Sequence, residues 1–346
     1  MNPPRWSYAP PRSRPALRTL PPRCPPCSPF PPALPLQLSG SIRSVERAFY
    51  EPAGQDSYVA TAATVGPWAP DAQHGGPPSA LAARAIERHE PDERQRLARV
   101  AVDILRPVPV SKVSIRTRTI RPGRRVTLVE AIMEADGQEV LHARGWRIER
   151  PAGAVPEIAD GGPPAPVPAA GGGFPPLIFR REQHGYLASI EWRFVPGDFD
   201  ELAVPGAIAE ATDVTAEVTG APAPAMAAAN ISEPATAGPA STAQVRSAWT
   251  RPLIPLLPEE DPSPMSRALL VADSGSGVGA ALPSTEFVFI NIDLSVALPR
   301  DPVSEWLLLE SATAVGADGT GLAMTRLSDP MGACGRAWQT LLVAPR

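Results

Sequence analysis

Apolar and polar positions follow two different rhythms near the C-terminus of the chain. After Ser263 and Pro264, a hydroxyl cap followed by a residue with a fixed φ, apolar residues recur at helical spacing. These residues are Met265, Ala268, Leu269 and Ala272, and the helix is predicted to stop at Gly275 and Gly277. The period then changes to two, which predicts a strand. Its apolar face would carry Ile290, Ile292, Leu294, Val296 and Leu298, and its polar face Asn291, Asp293 and Ser295.

The first part of the chain shows the same order of one helix followed by strands. A helix over residues 77–89 is opened by Pro77 and Pro78 and closes before Pro91. Asp136-Gly137 is typical of a hairpin turn. Strands are predicted in this part at 57–65, 99–108, 112–121, 125–134 and 139–148, and later in the chain at 187–195, 245–254, 305–315, 321–327 and 335–343.

Weak internal similarity indicates that the second half repeats the first. Val102-Asp103-Ile104 resembles Ile292-Asp293-Leu294, and Trp146 lies near the position of Trp338. The helix at 77–89 matches the one at 264–273, and the turn at Asp136-Gly137 matches residues 329–332. A helix covers one face of a sheet, so two copies side by side form a reasonable globule. The pattern predicts a duplicated α+β fold.

Proline marks the segments that are expected to lie outside the two copies. The chain has 346 residues, of which 46 are proline, and these are placed unevenly. Residues 1–42 are predicted to be a disordered Pro/Arg-rich arm, 43–150 the first unit and 151–175 a Pro/Gly-rich linker. Residues 176–346 form the second predicted unit, with a disordered insertion at about 204–242.

Charge and cysteine content exclude several classes of protein. The net charge of −4 gives no overall basic field, so nucleic acid is not an expected partner. Three cysteines are too few for a disulfide scaffold, and the Cys24–Cys27 pair lies in the Pro-rich arm, where we interpret it as incidental rather than redox-active or metal-binding. No apolar run approaches the roughly 18 residues of a membrane span. We expect a cytoplasmic protein without a membrane span.

Three segments near the C-terminus resemble a known family. They read SPMSRALLVAD, FINIDLSVALPRDPVSEWLLLES and GTGLAMTRLSDPMGACGRAWQTLLV. Their order and spacing resemble the C-terminal half of thioesterase II-type acyl-CoA thioesterases, and the likeness covers roughly residues 43–346 outside the low-complexity stretches. The resemblance implies a double hot-dog fold, acyl-CoA hydrolysis to free fatty acid and CoA, a role in lipid metabolism and a homodimer. It also implies a catalytic set of Asp273, Asn291 and Gln339, where Asn291 replaces the commoner hydroxyl residue.

The chemistry of these three side chains suits hydrolysis of a thioester. The reaction needs an activated water and little protonation of the leaving thiolate, so a carboxylate base and two neutral polar groups that fix the water would suffice. Each residue has a simpler interpretation as well: Asp273 as a helix end, Asn291 as an edge-strand residue and Gln339 as a solvated one. By the internal repeat, Asn291 corresponds to Ala101, Gln339 falls near Arg144 and Asp273 near Glu87, so one competent site per chain is predicted.

The sequence His74-Gly75-Gly76 before the first helix is the other candidate feature. The glycines would let a ligand approach the backbone, so we predict substrate binding here; a loop-capping role for His74 is an equal alternative. The basic run at 116–125 is either the solvated side of a hairpin or a landing for the phosphates of CoA.

Other motifs do not fit their context. Residues 275–279 imitate a dinucleotide-binding loop, but a strand follows them instead of the required helix. No G-x-S-x-G elbow is present, and the four histidines lack metal-ligand spacing, so neither cofactor nor metal is expected. Two alternatives to hydrolysis stay open: an acyl-CoA-binding or dehydratase-like hot-dog protein without thioesterase turnover, and a scaffold protein whose disordered arms bind partners.

Overall fold

Two helices carry most of the helical structure in the part of the chain that the structure describes. The computed structural model describes residues 46–153, 155–169, 185–195 and 243–346. The predictions for residues 1–42, for 204–242 and for Cys24 and Cys27 lie outside these residues. The helices are α1 (Gly76–Arg88), α2 (Gly185–Ala188), α3 (Pro264–Ala272) and α4 (Gly275–Val278), with a 3₁₀ turn at Ala62–Thr64.

The described strands belong to an antiparallel sheet of thirteen strands. In the first half they are β1 (Tyr50–Pro52), β2 (Ser57–Ala60), β3 (Gln95–Ile104), β4 (Lys112–Arg121), β5 (Val126–Ala135) and β6 (Gln138–Glu149). In the second half they are β7 (Ile190–Phe194), β8 (Arg246–Pro252), β9 (Phe287–Asn291), β10 (Asp293–Ala297), β11 (Leu307–Val315), β12 (Thr320–Asp329) and β13 (Gly332–Pro345).

The order of the strands is symmetric about one central pair. It runs β1-β2-β4-β5-β6-β3-β10-β13-β12-β11-β8-β7, and β9 pairs with β13 beside this path. β3 and β10 form the seam, with Val100 opposite Val296. Outward from the seam, β6 matches β13, β5 matches β12 and β4 matches β11. The two parts of the chain therefore contribute equivalent halves to one sheet.

Both long helices lie on the same side of the sheet and pack against each other. α1 contacts β3 to β6, and α3 contacts β8 and β10 to β12. Their close approach depends on Gly76, because a Cβ there would lie 2.2 Å from the carbonyl oxygen of Leu270. The start of α1 lies beside the end of α3, and the end of α1 lies beside Ser263 at the start of α3. The helices are thus antiparallel, and each end of the pair holds one carboxylate, Asp273 or Glu87.

Most predicted elements are confirmed within a few residues. Ser263 caps α3 by accepting the N–H of Ser266, and Pro264 is its first residue. α1 and β4 to β6 lie where the pattern placed them, and Asp136 and Gly137 have the positive φ values of a two-residue hairpin turn. The strand predicted at 187–195 begins instead as α2, and Gly275 and Gly277 do not end all helical structure, because they lie in α4.

The continuous strand predicted through Ile290 and Leu298 is wrong. The chain breaks at Ile292, between β9 and β10, and the direction of the side chains changes there. Ile290 and Ile292 are 48% and 53% exposed, whereas Leu294 and Val296 are fully buried. A single alternating strand would place all four on one face, so their different exposure fits two strands separated by a break.

The break also corrects the predicted correspondence between the two halves. Val102 is 1% exposed and cannot match Ile292, which is 53% exposed, so the similarity of residues 102–104 to 292–294 is coincidental. Trp146 pairs with Arg99 of β3 as Trp338 pairs with Ser295 of β10. In this register Gln339 corresponds to Arg147 rather than Arg144, and Asn291 to Gln95 rather than Ala101.

Candidate active site

Asp273 ends helix α3 and points at the start of helix α1. It is the C-cap residue of α3, and only 5% of it is exposed. A Cβ on Gly75 would lie 2.8 Å from Oδ2 of Asp273, so a glycine there makes room for the carboxylate. Burial of a carboxylate is costly unless hydrogen bonds compensate it, which makes its partners informative.

Two carboxamides donate hydrogen bonds to the same oxygen of this carboxylate. Asn291 Nδ2 lies 2.7 Å and Gln339 Nε2 lies 3.2 Å from Oδ1 of Asp273. Gln339 Nε2 also donates to the backbone carbonyl of Asp273 at 3.0 Å. The N–H of Ser276 donates to Gln339 Oε1 at 3.0 Å, which fixes the orientation of the amide. The structure therefore brings the three predicted residues together.

The two carboxamides differ in how they meet the adjacent cavity. Gln339 is 1% exposed and stands behind the carboxylate, with both of its donors used to hold Asp273. Asn291 lies at the strand break and lines the cavity. Its Nδ2 also contacts the carbonyl of Asp293 at 3.3 Å, while no described residue hydrogen-bonds to its Oδ1. Asn291 thus keeps an acceptor free for a ligand.

His74 faces the other oxygen of the carboxylate. Its Nδ1 lies 3.0 Å from Oδ2 of Asp273 and 3.2 Å from the N–H of Gly76. A protonated Nδ1 donates to Oδ2, whereas a bare Nδ1 accepts the N–H of Gly76. Burial lowers the pKa of His74, and the charge of Asp273 opposes that shift only in part. The imidazole is therefore predominantly neutral near neutral pH.

Two further residues that the sequence did not reveal complete this cluster. The ring of Tyr186 stacks on that of His74, with centroids 3.7 Å apart and planes 6° apart. Ser276 fixes Gln339, and a Cβ on the preceding Gly275 would lie 2.2 Å from Thr325 Oγ1. No local pattern marks Tyr186, because it follows the Pro/Gly-rich linker and reaches His74 only through the fold.

A cavity of about 510 Å³ opens onto the carboxylate. Asp273, Asn291, His74 and Gly75 line it, whereas Gly76 does not. Its wall is mostly apolar and includes Trp68, Ile104, Val108, Leu187 and Phe289. An apolar cavity with a few convergent polar groups is the usual form of a small-molecule site.

The basic run at 116–125 is largely neutralised by carboxylates. Arg116 pairs with Glu134, Arg118 with Glu130 and Arg124 with Glu149, all on neighbouring strands or at their ends. None of these arginines lines the cavity. The structure therefore favours the solvated hairpin over a landing for CoA phosphates.

The described residues contain neither a membrane-spanning helix nor a cluster of metal-binding side chains. Among the helices of those residues, none is long and apolar enough to cross a membrane. Within the same residues, no group of three or more histidine, cysteine, aspartate or glutamate side chains is arranged to hold a metal ion.

Solved structures with similar folds include three long matches. A candidate thioesterase II from Thermobifida fusca YX is 17% identical, with 86% of this chain and 96% of that chain covered and a TM-score of 0.56. An acyl-CoA thioesterase II from Mycobacterium marinum is 14% identical, with coverage of 86% and 95% and a TM-score of 0.52. A protein with a hot-dog fold from Alicyclobacillus acidocaldarius is 15% identical, with coverage of 83% and 92% and a TM-score of 0.54. The predicted α+β hot-dog fold is confirmed.

Sequence profiles give the family. A search of curated protein sequences returned no match. The profile of the acyl-CoA thioesterase N-terminal domain matches residues 64–148, and that of the C-terminal domain matches residues 159–343. The second match alone covers more than half of the chain and includes Asp273, Asn291 and Gln339. The chain belongs to the acyl-CoA thioesterase family.

Proposed function

We propose that this acyl-CoA thioesterase activates its hydrolytic water with Asp273. The observation that supports the assignment is a buried carboxylate at a cavity wall, with Oδ1 held by two carboxamides and Oδ2 turned towards His74. Oδ1 already accepts two amide hydrogen bonds, so Oδ2 is the oxygen available to take a proton from water. The predicted role of the amides changes accordingly: Gln339 positions the carboxylate, and Asn291 both positions it and offers Oδ1 to the water.

The proposed step is a direct attack by water on the thioester carbonyl. Oδ2 of Asp273 takes a proton while the water oxygen bonds to the carbonyl carbon. The tetrahedral intermediate then collapses, its C–S bond breaks with the electron pair going to sulfur, and Asp273 returns the proton to the thiolate. The neutral Nδ1 of His74 would accept a hydrogen bond from protonated Oδ2. This contact stabilises Asp273 in its protonated form until the proton is returned. The products are free fatty acid and CoA.

Substrate contact is assigned to the loop before α1. His74 and Gly75 line the cavity. Gly76 does not, and a glycine is needed there because α1 and α3 approach closely at Leu270. We therefore keep His74 and Gly75 as substrate-binding residues and give Gly76 a packing role. The adjoining apolar wall, including Val108 and Phe289, suits an acyl chain.

A tandem arrangement of two hot-dog units accounts for the strand order, and we propose that two such chains form a homodimer. The symmetric sheet supports the tandem arrangement. An exposed apolar patch on the outer face of the sheet, the face away from the two long helices, supports this association. Its side chains are each about half exposed: Ile290 on β9, Ile292 at the strand break, Met324 on β12 and Leu342 on β13. Sedimentation velocity of the chain and of Met324→Glu should give a dimer and a weakened dimer; a monomeric parent would refute the proposal. We also propose that this hydrolysis of acyl-CoA serves lipid metabolism in the cytoplasm.

The decisive experiment measures release of CoA thiol from acyl-CoA thioesters of several chain lengths. Thiol release that depends on enzyme concentration, with equimolar free acid, is the expected result. The matched control is Asp273→Asn, which keeps the shape of the site. Acyl-CoA binding without release of thiol would instead favour the binding or dehydratase-like alternative.

Gln339→Ala is expected to lower kcat while changing KM little. The substitution removes the hydrogen bonds from Gln339 Nε2 to Oδ1 and to the carbonyl of Asp273. A hydrogen bond to a charged group contributes about 1.5–3 kcal/mol, so a loss of roughly 10–100-fold in kcat is expected. Steady-state kinetics with a melting curve for each protein test it. Unchanged kcat in a folded variant would exclude a positioning role.

A further inference from the structure

Tyr186 occupies an unusual place between the two halves of the molecule. It lies in α2, the first described element after residue 169, and is fully buried. Its N–H donates to the carbonyl of Val65 at 2.9 Å, close to the loop that carries His74. Gly185 allows this approach, since its φ is +69° and a Cβ would lie 2.5 Å from the same carbonyl oxygen. The second half of the chain therefore reaches into the His74 loop of the first.

The hydroxyl of Tyr186 is tied to the helix end that carries the carboxylate. It donates to the carbonyl of Leu270 at 2.8 Å and lies 3.0 Å from the Oγ of Ser274, which directly follows Asp273. The ring of the same residue lies flat on the imidazole of His74. One side chain thus contacts His74 and the end of α3 that carries Asp273.

We propose that Tyr186 is a positioning residue for hydrolysis, which holds the imidazole of His74 with Nδ1 facing Oδ2 of Asp273. The proposal rests on the function assigned above to Asp273. An imidazole packed only against small side chains could rotate about its χ angles, and offset or stacked aromatic contacts restrict that motion. The hydroxyl contacts fix the tyrosine ring relative to α3, so the distance from Nδ1 to Oδ2 is set by the same side chain.

Tyr186 also helps to keep the imidazole out of water. In the described part of the chain, the titratable groups that contact the imidazole are Asp273, from the end of α3, and Tyr186, from α2. Arg106 lies further along the cavity wall. Burial lowers the pKa of His74. Removing the stacked ring would admit water, so the pKa of His74 should rise towards its ordinary value.

The test uses two substitutions of Tyr186 and a matched control. Tyr186→Phe keeps the stacked ring and loses the hydroxyl contacts, whereas Tyr186→Leu keeps apolar volume and loses the ring. Tyr58→Leu is the control, because Tyr58 is a largely buried tyrosine on β2 that does not line the cavity. For Tyr186→Leu we expect kcat to fall roughly 10–100-fold with little change in KM, as for a misplaced catalytic group. Tyr186→Phe should recover part of the rate, because the stacked ring stays while its hydroxyl contacts with α3 are lost, and Tyr58→Leu should keep the full rate.

Two pH measurements separate positioning from a loss of stability. The pKa of His74, followed by NMR of the labelled imidazole, should rise in Tyr186→Leu but stay at the parent value in Tyr58→Leu. The acidic limb of the kcat profile should move to higher pH by the same amount, since a protonated Nδ1 cannot accept a hydrogen bond from protonated Oδ2 of Asp273. Parent-like kcat in Tyr186→Leu, or an unchanged pKa of His74, would overturn the proposal. The NMR result is independent of turnover, so a parent that releases no thiol would refute the proposed function and leave the contact of Tyr186 with His74 testable.

Discussion

Replacing Asp273 by asparagine is expected to lower the rate of thioester hydrolysis by about 10²–10⁴-fold, the usual loss when a general base is removed. Asparagine preserves the size of the side chain and an oxygen that can accept from Asn291 and Gln339. Acyl-CoA affinity should therefore change little. Single-turnover release of thiol and equilibrium binding of a slowly hydrolysed acyl-CoA measure the two quantities separately.

The fold supplies a matched control for this substitution at the opposite end of the helix pair. Glu87, in the last turn of α1, accepts a hydrogen bond from Ser263 at the start of α3. It lines a separate cavity of about 320 Å³, with Gln95 and Arg147 in place of the two carboxamides of the candidate active site. Glu87→Gln should leave the rate within a few-fold of the parent. Parent-like hydrolysis by folded Asp273→Asn, or an equal loss in both variants, would show that the assigned site is wrong.

The same substitution, Glu87→Gln, is expected to stabilise the protein at alkaline pH. Burial raises the pKa of Glu87 from 4.5 to about 7, and neighbouring Asp301 and Glu260 add to this, against a smaller lowering by Ser263 and Arg84. Each unit of pKa shift corresponds to about 1.4 kcal/mol, so ionised Glu87 costs the folded state up to about 3 kcal/mol. Glutamine keeps the hydrogen-bonding shape without that cost.

The direction of the pH dependence follows from proton binding. Between pH 4.5 and about 7 the folded state retains the proton that the unfolded state has lost, so the free energy of unfolding of the parent falls as pH rises through this window. The two proteins should have similar stability near pH 4.5, and the variant should melt several degrees higher at pH 8. Thermal unfolding of both proteins at each pH measures the melting temperatures, and urea unfolding measures the free energies. An equal difference at both pH values would mean that Glu87 is not the titrating group.

Sequence patterning was most reliable where a local rule dictates structure. Ser263 and Pro264 begin a helix because one supplies a cap and the other lacks an N–H that would need a partner. Asp136 and Gly137 turn a hairpin because both tolerate positive φ. These effects act within four residues, so the local sequence alone is enough to predict them.

Internal sequence similarity was a weaker guide to which residues of the two halves are equivalent. It compares residue types and does not show which way each side chain points. The likeness of residues 102–104 to 292–294 predicted Ala101 and Arg144 as the equivalents of Asn291 and Gln339. The strand break at Ile292 changes which side chains face inward, so the pairing of Trp146 and Trp338 with the seam strands gives Gln95 and Arg147 instead. Nothing local in the sequence marks that break.

The sequence by itself determined the two long helices, most of the strands and, by family resemblance, a set of one carboxylate, Asp273, and two carboxamides, Asn291 and Gln339. Only the tertiary structure decided how those side chains are arranged. Gln339 donates to Asp273 with its amide fixed by the N–H of Ser276, and Tyr186, from the second half of the chain, stacks on His74 of the first. These contacts join residues that are tens to more than a hundred positions apart, and their geometry depends on helix packing and on a change of strand phase. Neither leaves a periodic trace in the chain.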